Sequence, residues 1–177
     1  YTNAGKSSLF NMLTGAEVLA KDMLFATLDP TLRGLDLPSG RRIILSDTVG
    51  FISDLPTQLV AAFRATLEEM LDADQILHVR DVSHPETVAQ KKDVETILDQ
   101  LGISELQKST MIEILNKIDL LPAEQADAIR AQSQRDHRKI AVSAMTGEGM
   151  DSLVSAIELE IAEGKSDDTL LLSFAQG

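Results

Sequence analysis

The chain has 177 residues and a formal net charge of −12 at pH 7, from 16 Lys and Arg against 28 Asp and Glu. Hydrophobic residues make up 44% of it and charged residues 25%, which is ordinary globular usage and excludes a chain that is disordered throughout. The absence of cysteine excludes thiolate metal sites and cysteine nucleophiles. The acidic balance argues against non-specific nucleic-acid binding, which needs Lys and Arg to neutralise phosphates. No run of about 18 apolar residues occurs, so no membrane-spanning helix is predicted.

Strands and helices alternate along the chain, each indicated by its hydrophobic period. A helix is predicted over 8–13, followed by a β-hairpin whose strands, 31–37 and 41–46, flank a turn signal at 38–40. The remaining helices are predicted at 57–71, 86–101, 123–134 and 150–162, and the remaining strands at 75–79, 110–115 and 139–142. This alternation predicts an α/β fold of three layers with a mostly parallel sheet, in which ligands bind outside the carboxyl ends of the strands.

The first candidate site is a phosphate-binding loop. Asn3-Ala4-Gly5-Lys6-Ser7 matches the end of the pattern G-x-x-x-x-G-K-[ST]. Backbone N–H groups of such a loop, and of the helix that follows it, bind phosphates. Lys6 is predicted to reach the β- and γ-phosphates and the Ser7 hydroxyl to bind Mg²⁺, with Thr2 and Ser8 also against the nucleotide. The alternative is an ordinary loop that matches by chance.

Two further segments are predicted to face the γ-phosphate. Asp47-Thr48-Val49-Gly50 follows the predicted strand 41–46, so that Asp47 can hold Mg²⁺ through water and the Gly50 N–H can approach a phosphate without a Cβ in the way. Phe25-Ala26-Thr27-Leu28-Asp29 lies between the phosphate loop and the hairpin, and there Thr27 is predicted to add a hydroxyl to Mg²⁺. Thr31 is the rival, but it fits a strand better. Catalysis by positioning and charge stabilisation is assigned to Lys6, Gly50 and Thr27, because no general base is evident.

The last two segments are predicted to bind the base. Asn116-Lys117-Ile118-Asp119 follows the predicted strand 110–115. A carboxylate such as Asp119 accepts two N–H bonds from guanine, whereas adenine lacks both the N1–H and the 2-amino group. The alternative for this segment is a helix cap. Ser143-Ala144-Met145, after the strand 139–142, is predicted to support the base through its backbone.

Taken in this order, the motifs resemble the GTPase domain of the HflX family, a group of P-loop GTPases associated with the ribosome. The residues that carry the resemblance are Tyr1 to Ser7, Phe25 to Thr31, Asp47 to Glu69, and Asp81 to Pro85. The resemblance implies Mg²⁺-dependent hydrolysis of GTP to GDP by a cytoplasmic monomer. It also implies binding to the large ribosomal subunit and a role in rescuing or splitting stalled ribosomes.

The resemblance also bears on how hydrolysis is performed. Phe51 stands where many related GTPases have a water-orienting Gln, so we expect slow intrinsic turnover that a partner accelerates. In related K⁺-stimulated GTPases, an Asn at the position of Asn3 resembles a K⁺ ligand; the alternative is that Asn3 only satisfies loop backbone. Two other functions stay open: a GTPase for another RNA partner, in ribosome assembly or tRNA modification, and a nucleotide-binding interaction module with negligible turnover.

The ends of the chain suggest an internal fragment. We expect a GTPase domain (G domain) over 1–163 and, over 164–177, a linker and the start of a C-terminal module. The strand that feeds the phosphate loop in this fold would precede Tyr1. Because that strand is central, we expect a gap in the sheet and poor stability of the chain expressed alone.

Overall fold

Six strands form one sheet in the computed structural model of the chain, which describes residues 4–15, 31–47, 73–163 and 170–176. The helices are α1 (Lys6–Thr14), α2 (Thr87–Leu101), α3 (Glu105–Thr110), α4 (Ala123–Arg135) and α5 (Met150–Glu163), with one 3₁₀ turn at Ile118–Leu120. The strands are β1 (Thr31–Asp36), β2 (Arg42–Asp47), β3 (Gln75–Asp81), β4 (Ile112–Asn116), β5 (Lys139–Ala141) and β6 (Leu170–Gln176). The helix predicted at 57–71 lies outside the described residues.

The sheet is mostly parallel, as predicted. Its strand order is β1-β2-β6-β3-β4-β5, and only the β1–β2 pair is antiparallel. The hairpin follows the turn signal in the sequence: Leu37 and Arg41 are joined by a backbone hydrogen bond of 2.8 Å across the turn. The parallel strands β2, β3, β4, β5 and β6 therefore end at one edge of the sheet, the edge where this fold binds ligands.

The middle of the sheet differs from the expectation. We expected a gap there and took the apolar run near the C-terminus as the opening of another module. In the structure β6 occupies the place between β2 and β3, parallel to both, with Ile43 opposite Leu170 and Val79 opposite Gln176. The sequence did not indicate this because an apolar strand suits any parallel position that is buried on both faces. The predicted domain boundary at residue 163 stays a prediction.

Helices cover both faces of the sheet, which confirms three layers. One face packs the apolar sides of α1 and α5 against the strands, with a core that includes Phe10, Leu45, Leu77, Ile114 and Ile157. Alternation along β3 turns Ile76 and His78 to the opposite face, where α2 lies with its buried Val94 and Leu98. Within residues 4–163, so far as they are described, no helix combines the length and the hydrophobicity needed to cross a membrane.

A buried polar cluster lies on the α2 face. Glu113 of β4 pairs with Arg80 of β3, and its other oxygen accepts a hydrogen bond of 3.0 Å from Lys91 Nζ of α2. His78 sits beside Glu113 in register, is fully buried, and has no hydrogen-bond partner on either ring nitrogen. The pKa of His78 is lowered to about 3, chiefly by burial; the Glu113 charge opposes this shift, and the Arg80 and Lys91 charges add to it. The imidazole is therefore neutral in the folded protein.

Candidate nucleotide-binding site

The candidate site lies where the carboxyl ends of β2, β3 and β4 meet the start of α1. The strands end at Asp47, Asp81 and Asn116, and the register places Asp81 directly opposite Asn116. The N-terminus of α1 lies at the same edge, since Asn116 binds the backbone of the residue just before Gly5. The polar side chains of Asp81 and Asn116 and the N–H groups at the start of α1 thus lie at the same end of the sheet.

Gly5 forms the turn into α1. Its φ of 88° and ψ of 21° are left-handed, and a Cβ on this residue would overlap Asn116 Nδ2. Both facts require glycine, the first because L side chains rarely adopt this conformation and the second because Asn116 fills the space. The glycine of the sequence motif thus lets a loop approach a buried amide closely.

Lys6 and Ser7 are the first two residues of α1. Lys6 is buried, with 3% of its surface exposed, whereas Ser7 is half-buried. A cation at a helix N-terminus faces the positive end of the helix dipole, so an anion bound at this turn would stabilise both the lysine and the helix. The arrangement suits a phosphate group.

Asn116 joins three segments of the chain. Its Nδ2 donates to the Ala4 carbonyl at 2.7 Å, and its Oδ1 accepts from the Ala144 N–H at 3.0 Å. The side chain is buried, with 1% of the residue exposed, so neither bond competes freely with water. Asn116 therefore holds the phosphate loop, the end of β4 and the 143–145 segment in fixed relation. A helix cap, the alternative drawn from the sequence, does not describe these contacts.

Lys117 turns the chain after β4. Its φ of 68° makes it the one non-glycine residue with positive φ in the described ranges. Its Nζ donates to Asp81 Oδ2 at 2.7 Å. Asp119 follows in the 3₁₀ turn, and it is exposed at the edge where the site lies. The left-handed turn at Lys117 thus lies between the buried side chain of Asn116 and the Asp119 carboxylate, which solvent or a ligand can reach.

Ser143, Ala144 and Met145 lie in a closed loop after β5. The Ser143 Oγ accepts from the Thr146 N–H at 3.1 Å, and the Ser143 N–H donates to the Glu148 carbonyl at 2.9 Å. Ser143 is buried and Met145 is 84% exposed. The loop is thus organised from inside by the serine, and its tip is open.

Two contacts of this loop were missed in the sequence. Arg130 of α4 binds both carboxylate oxygens of Glu148, at 2.7 and 3.2 Å, and so ties the loop to the helix. Gly149, with φ of 79°, closes the loop against β5, where a Cβ would overlap the Ala141 carbonyl oxygen. No local pattern marks the ion pair. The spacing G-x-G at 147–149 was the one available signal for a loop held by glycines.

Several predicted residues have no described structure or only a described backbone. The backbone of Asp47 ends β2 at the correct edge. The predicted positions that lie outside the described residues are Thr2, Asn3, Phe25, Ala26, Thr27, Leu28, Asp29, Thr48, Val49 and Gly50. Those that the structure brings together are Ala4, Gly5, Asn116, Lys117 and Ala144. Ser8 is exposed on α1.

Known proteins similar to this chain are GTPases, in agreement with the site described above. Residues 1–117 match the family described as 50S ribosome-binding GTPase. The chain belongs to this family. It is 53% identical over 166 residues to GTPase HflX of Magnetococcus marinus, and 50% identical over 158 residues to GTPase HflX of Lacrimispora saccharolytica. These matches cover 94% and 89% of this chain, and confirm the resemblance predicted from its motifs.

Each match covers most of this chain but only part of the relative. The chain spans 37% and 36% of the length of those two curated relatives. Among solved structures, the chain is similar to a GTP-binding protein of Sulfolobus solfataricus in complex with GDP, with a TM-score of 0.69 and 30% identity. That match covers 92% of this chain and 50% of the other. The fold is therefore the G domain of P-loop GTPases.

Proposed function

We propose that this protein binds GTP, hydrolyses it to GDP and phosphate, and acts on the large ribosomal subunit. The observation that carries the proposal is the Asn116 bridge, which joins a phosphate-type loop at Ala4 to the 143–145 loop at Ala144. One side chain thus fixes the relative position of the two loops that would bind the phosphates and the base of a nucleotide. Membership of the 50S ribosome-binding GTPase family supports the same function.

The nucleotide would lie across the carboxyl edge of the sheet. Its phosphates would lie at the start of α1, against backbone N–H groups and the Lys6 ammonium. Its base would lie over the turn after β4, with the exposed Asp119 carboxylate accepting the two N–H groups of guanine. The 143–145 backbone would support the base from the side of β5. Adenine would leave the carboxylate unpaired, so the site should select guanine.

The residues present fit Mg²⁺. Ser7 is half-buried beside Lys6 at the start of α1, and Asp47 ends β2 at the same edge. Hydroxyl and carboxylate oxygens are the donors that Mg²⁺ prefers, with water completing its shell. Ser7 would bind the ion directly and Asp47 through water, and Thr27 is proposed as a further ligand. The ion supplies neutralisation of the phosphate charge. Binding of K⁺ by Asn3 remains a proposal that rests on the sequence alone.

Hydrolysis would depend on positioning and charge stabilisation. Lys6 and the α1 N-terminus would stabilise the negative charge that accumulates on the phosphates, and Gly50 and Thr27 are proposed to complete this environment. Because Phe51 cannot orient water by hydrogen bonding, turnover by the protein alone should be slow. We further propose that the large ribosomal subunit stimulates this turnover. In this proposal the protein is a cytoplasmic monomer that rescues or splits stalled ribosomes.

Release of phosphate from GTP tests this function. The intact protein is assayed with Mg²⁺, with and without purified large ribosomal subunits, in KCl and in NaCl. We expect slow basal release, a clear increase with the subunits, and loss of release in Lys6→Met. Equal rates in the two salts would remove the K⁺ proposal. No release under any condition would favour an interaction module without turnover, and basal release that the subunits do not increase would favour a different partner.

A further inference from the structure

Asp81 lies beside the proposed base site but belongs to none of the sequence motifs that bind nucleotide. It is the last residue of β3 and stands opposite Asn116 in the register of β3 and β4. Its Oδ2 accepts the 2.7 Å hydrogen bond from Lys117 Nζ. The two side chains are 14% and 27% exposed, so the ion pair is largely shielded from water.

The Asp81 carboxylate is held from a second side. Its Oδ1 accepts the Ser83 N–H at 2.9 Å and also the Ser83 hydroxyl. Burial alone would raise the pKa of Asp81, but the bonds from Lys117 and Ser83 bring that pKa below its ordinary value. The group is therefore an anion at neutral pH whose orientation is fixed by the turn after β3.

Lys117 needs such a support because its backbone is strained. A left-handed conformation costs an L residue about 1–2 kcal/mol. Backbone hydrogen bonds hold the residues on either side: Val82 N–H donates to the Asn116 carbonyl at 3.0 Å, and Ile118 N–H donates to the Val142 carbonyl at 3.3 Å. The ion pair to Asp81 restrains the Lys117 side chain itself.

The turn at Lys117 decides where Asp119 faces. Asn116 is buried and tied to Ala4, whereas Asp119, three residues later, is exposed. The left-handed residue between them redirects the chain outward over this short distance. A relaxed turn would leave the Asn116 bridge in place but would reorient the carboxylate that is proposed to read the base.

We propose that Asp81 is a positioning residue for nucleotide: by fixing Lys117 it holds the turn that aims the Asp119 carboxylate at the N1–H and 2-amino groups of a guanine base. The inference rests on the proposed function, since it assigns a role within that site. This role requires no contact of Asp81 itself with phosphate or base, because Asp81 acts through Lys117. Its contribution should appear in how well the site distinguishes bases that differ in one hydrogen-bond donor.

A double-mutant cycle on the intact protein tests this role. Binding of GDP and of IDP, whose base lacks the 2-amino group, is measured for the unaltered protein, Asp81→Asn, Lys117→Met and the double variant. We expect Asp81→Asn to weaken GDP binding by about tenfold, which is the factor that results if the net free energy of one hydrogen bond is spent on ordering the released turn before the base binds. IDP binding should weaken by less. In the Lys117→Met background, Asp81→Asn should have little further effect.

Asp36→Asn is the matched control. Asp36 also pairs with a cation, Arg42 at 3.8 Å, but it is exposed and lies at the opposite edge of the sheet beside the hairpin turn. This variant should leave GDP and IDP affinity unchanged. Thermal unfolding without nucleotide is recorded for every variant, so that a general loss of structure is distinguished from a change at the site.

The outcomes separate this inference from the function on which it rests. If the unaltered protein does not bind GDP, the proposed function fails and this inference fails with it. If it binds GDP but Asp81→Asn keeps the same GDP-to-IDP ratio, or weakens GDP equally with and without Lys117, the positioning role is overturned while the function stands. Should Asp81→Asn fail to fold, Ser83→Ala serves instead, since it removes the hydroxyl bond to Asp81 Oδ1 and keeps the bond from the Ser83 N–H. This variant must lower the preference for GDP over IDP, and an unchanged preference overturns the role.

Discussion

Replacing Asn116 with Ala removes the contact on which the whole site depends. The substitution deletes the 2.7 Å bond to the Ala4 carbonyl and the 3.0 Å bond from the Ala144 N–H. Both backbone groups then face a buried space, because Asn116 is 1% exposed and Ala does not fill it. The phosphate loop and the 143–145 loop lose their common attachment.

The expected size of the effect follows from these bonds. A typical protein hydrogen bond contributes about 1 kcal/mol net, and a buried group left without a partner costs about 1–3 kcal/mol. Loss of both bonds should therefore lower the free energy of unfolding by about 2–5 kcal/mol. If about 1.4 kcal/mol of this must be restored to order the loops before nucleotide binds, affinity falls about tenfold.

Asn116→Asp distinguishes the contribution of the bond to Ala4 from that of the bond to Ala144. It keeps an acceptor for the Ala144 N–H but sets a carboxylate oxygen against the Ala4 carbonyl, which cannot donate. We expect this variant to bind nucleotide more weakly than Asn116→Ala at pH 8. It should recover in part at pH 5, because a protonated carboxyl can donate to the carbonyl.

Urea unfolding measures the change in stability, and titration with a fluorescent GDP analogue measures the change in affinity. Both are recorded for the unaltered protein and the two variants. Loss of stability together with loss of affinity is the predicted result. If Asn116→Ala keeps its unfolding midpoint and binds within twofold of the unaltered protein, the bridge does not organise the site. If Asn116→Asp shows no difference between pH 8 and pH 5, the donor to Ala4 is not the important bond.

Three further predictions concern the loops and the buried histidine. Gly5→Ala should lose at least about tenfold in nucleotide affinity, since its Cβ displaces Asn116, whereas Gly15→Ala, with φ of 65° and nothing near its Cβ, should cost only about 1–2 kcal/mol of backbone strain in urea unfolding. Gly149→Ala should destabilise the protein clearly more than Gly147→Ala, because only the first meets the β5 backbone; thermal unfolding compares them, and equal shifts would count against the packing described. His78 stays neutral with a pKa of about 3 when folded, so below pH 6.5 only the unfolded chain takes up its proton and stability falls as the pH drops. Between pH 8 and pH 5 this amounts to about 2 kcal/mol, which should disappear in His78→Leu when urea unfolding is compared at the two pH values; an unchanged pH dependence would contradict it.

Local signals predicted most of the described elements. The hairpin was predictable because Pro38-Ser39-Gly40 is a strong turn signal, and α2 because Val94, Leu98 and their neighbours repeat with a helical period. Helix α3 was missed, and β4 was predicted to start two residues too early, because five of the six residues of α3 are polar and a single Leu gives no hydrophobic period. The one signal for α3 was its capping box, in which Ser104 and Gln107 bind each other's backbone N–H.

Contacts between distant segments could not be predicted in this way. The motif at 116–119 was found from its residue types, but the bridge from Asn116 to Ala4 and Ala144 depends on how three segments approach one another in space. The same holds for Asp81, whose partner Lys117 lies 36 positions away. The placement of β6 is a third case, since pairing between parallel strands leaves no mark in the sequence of either strand.

Competition between nucleotides tests the central claim, a guanine nucleotide site built on the Asn116 bridge, most directly. A fluorescent GDP analogue is bound to the intact protein with Mg²⁺ and displaced by GTP or by ATP, with Asp119→Ala as the variant that removes the base-reading carboxylate. The account predicts displacement by GTP, none by ATP at the same concentration, and loss of that preference in Asp119→Ala. Equal displacement by ATP, or an unchanged preference in Asp119→Ala, would contradict it.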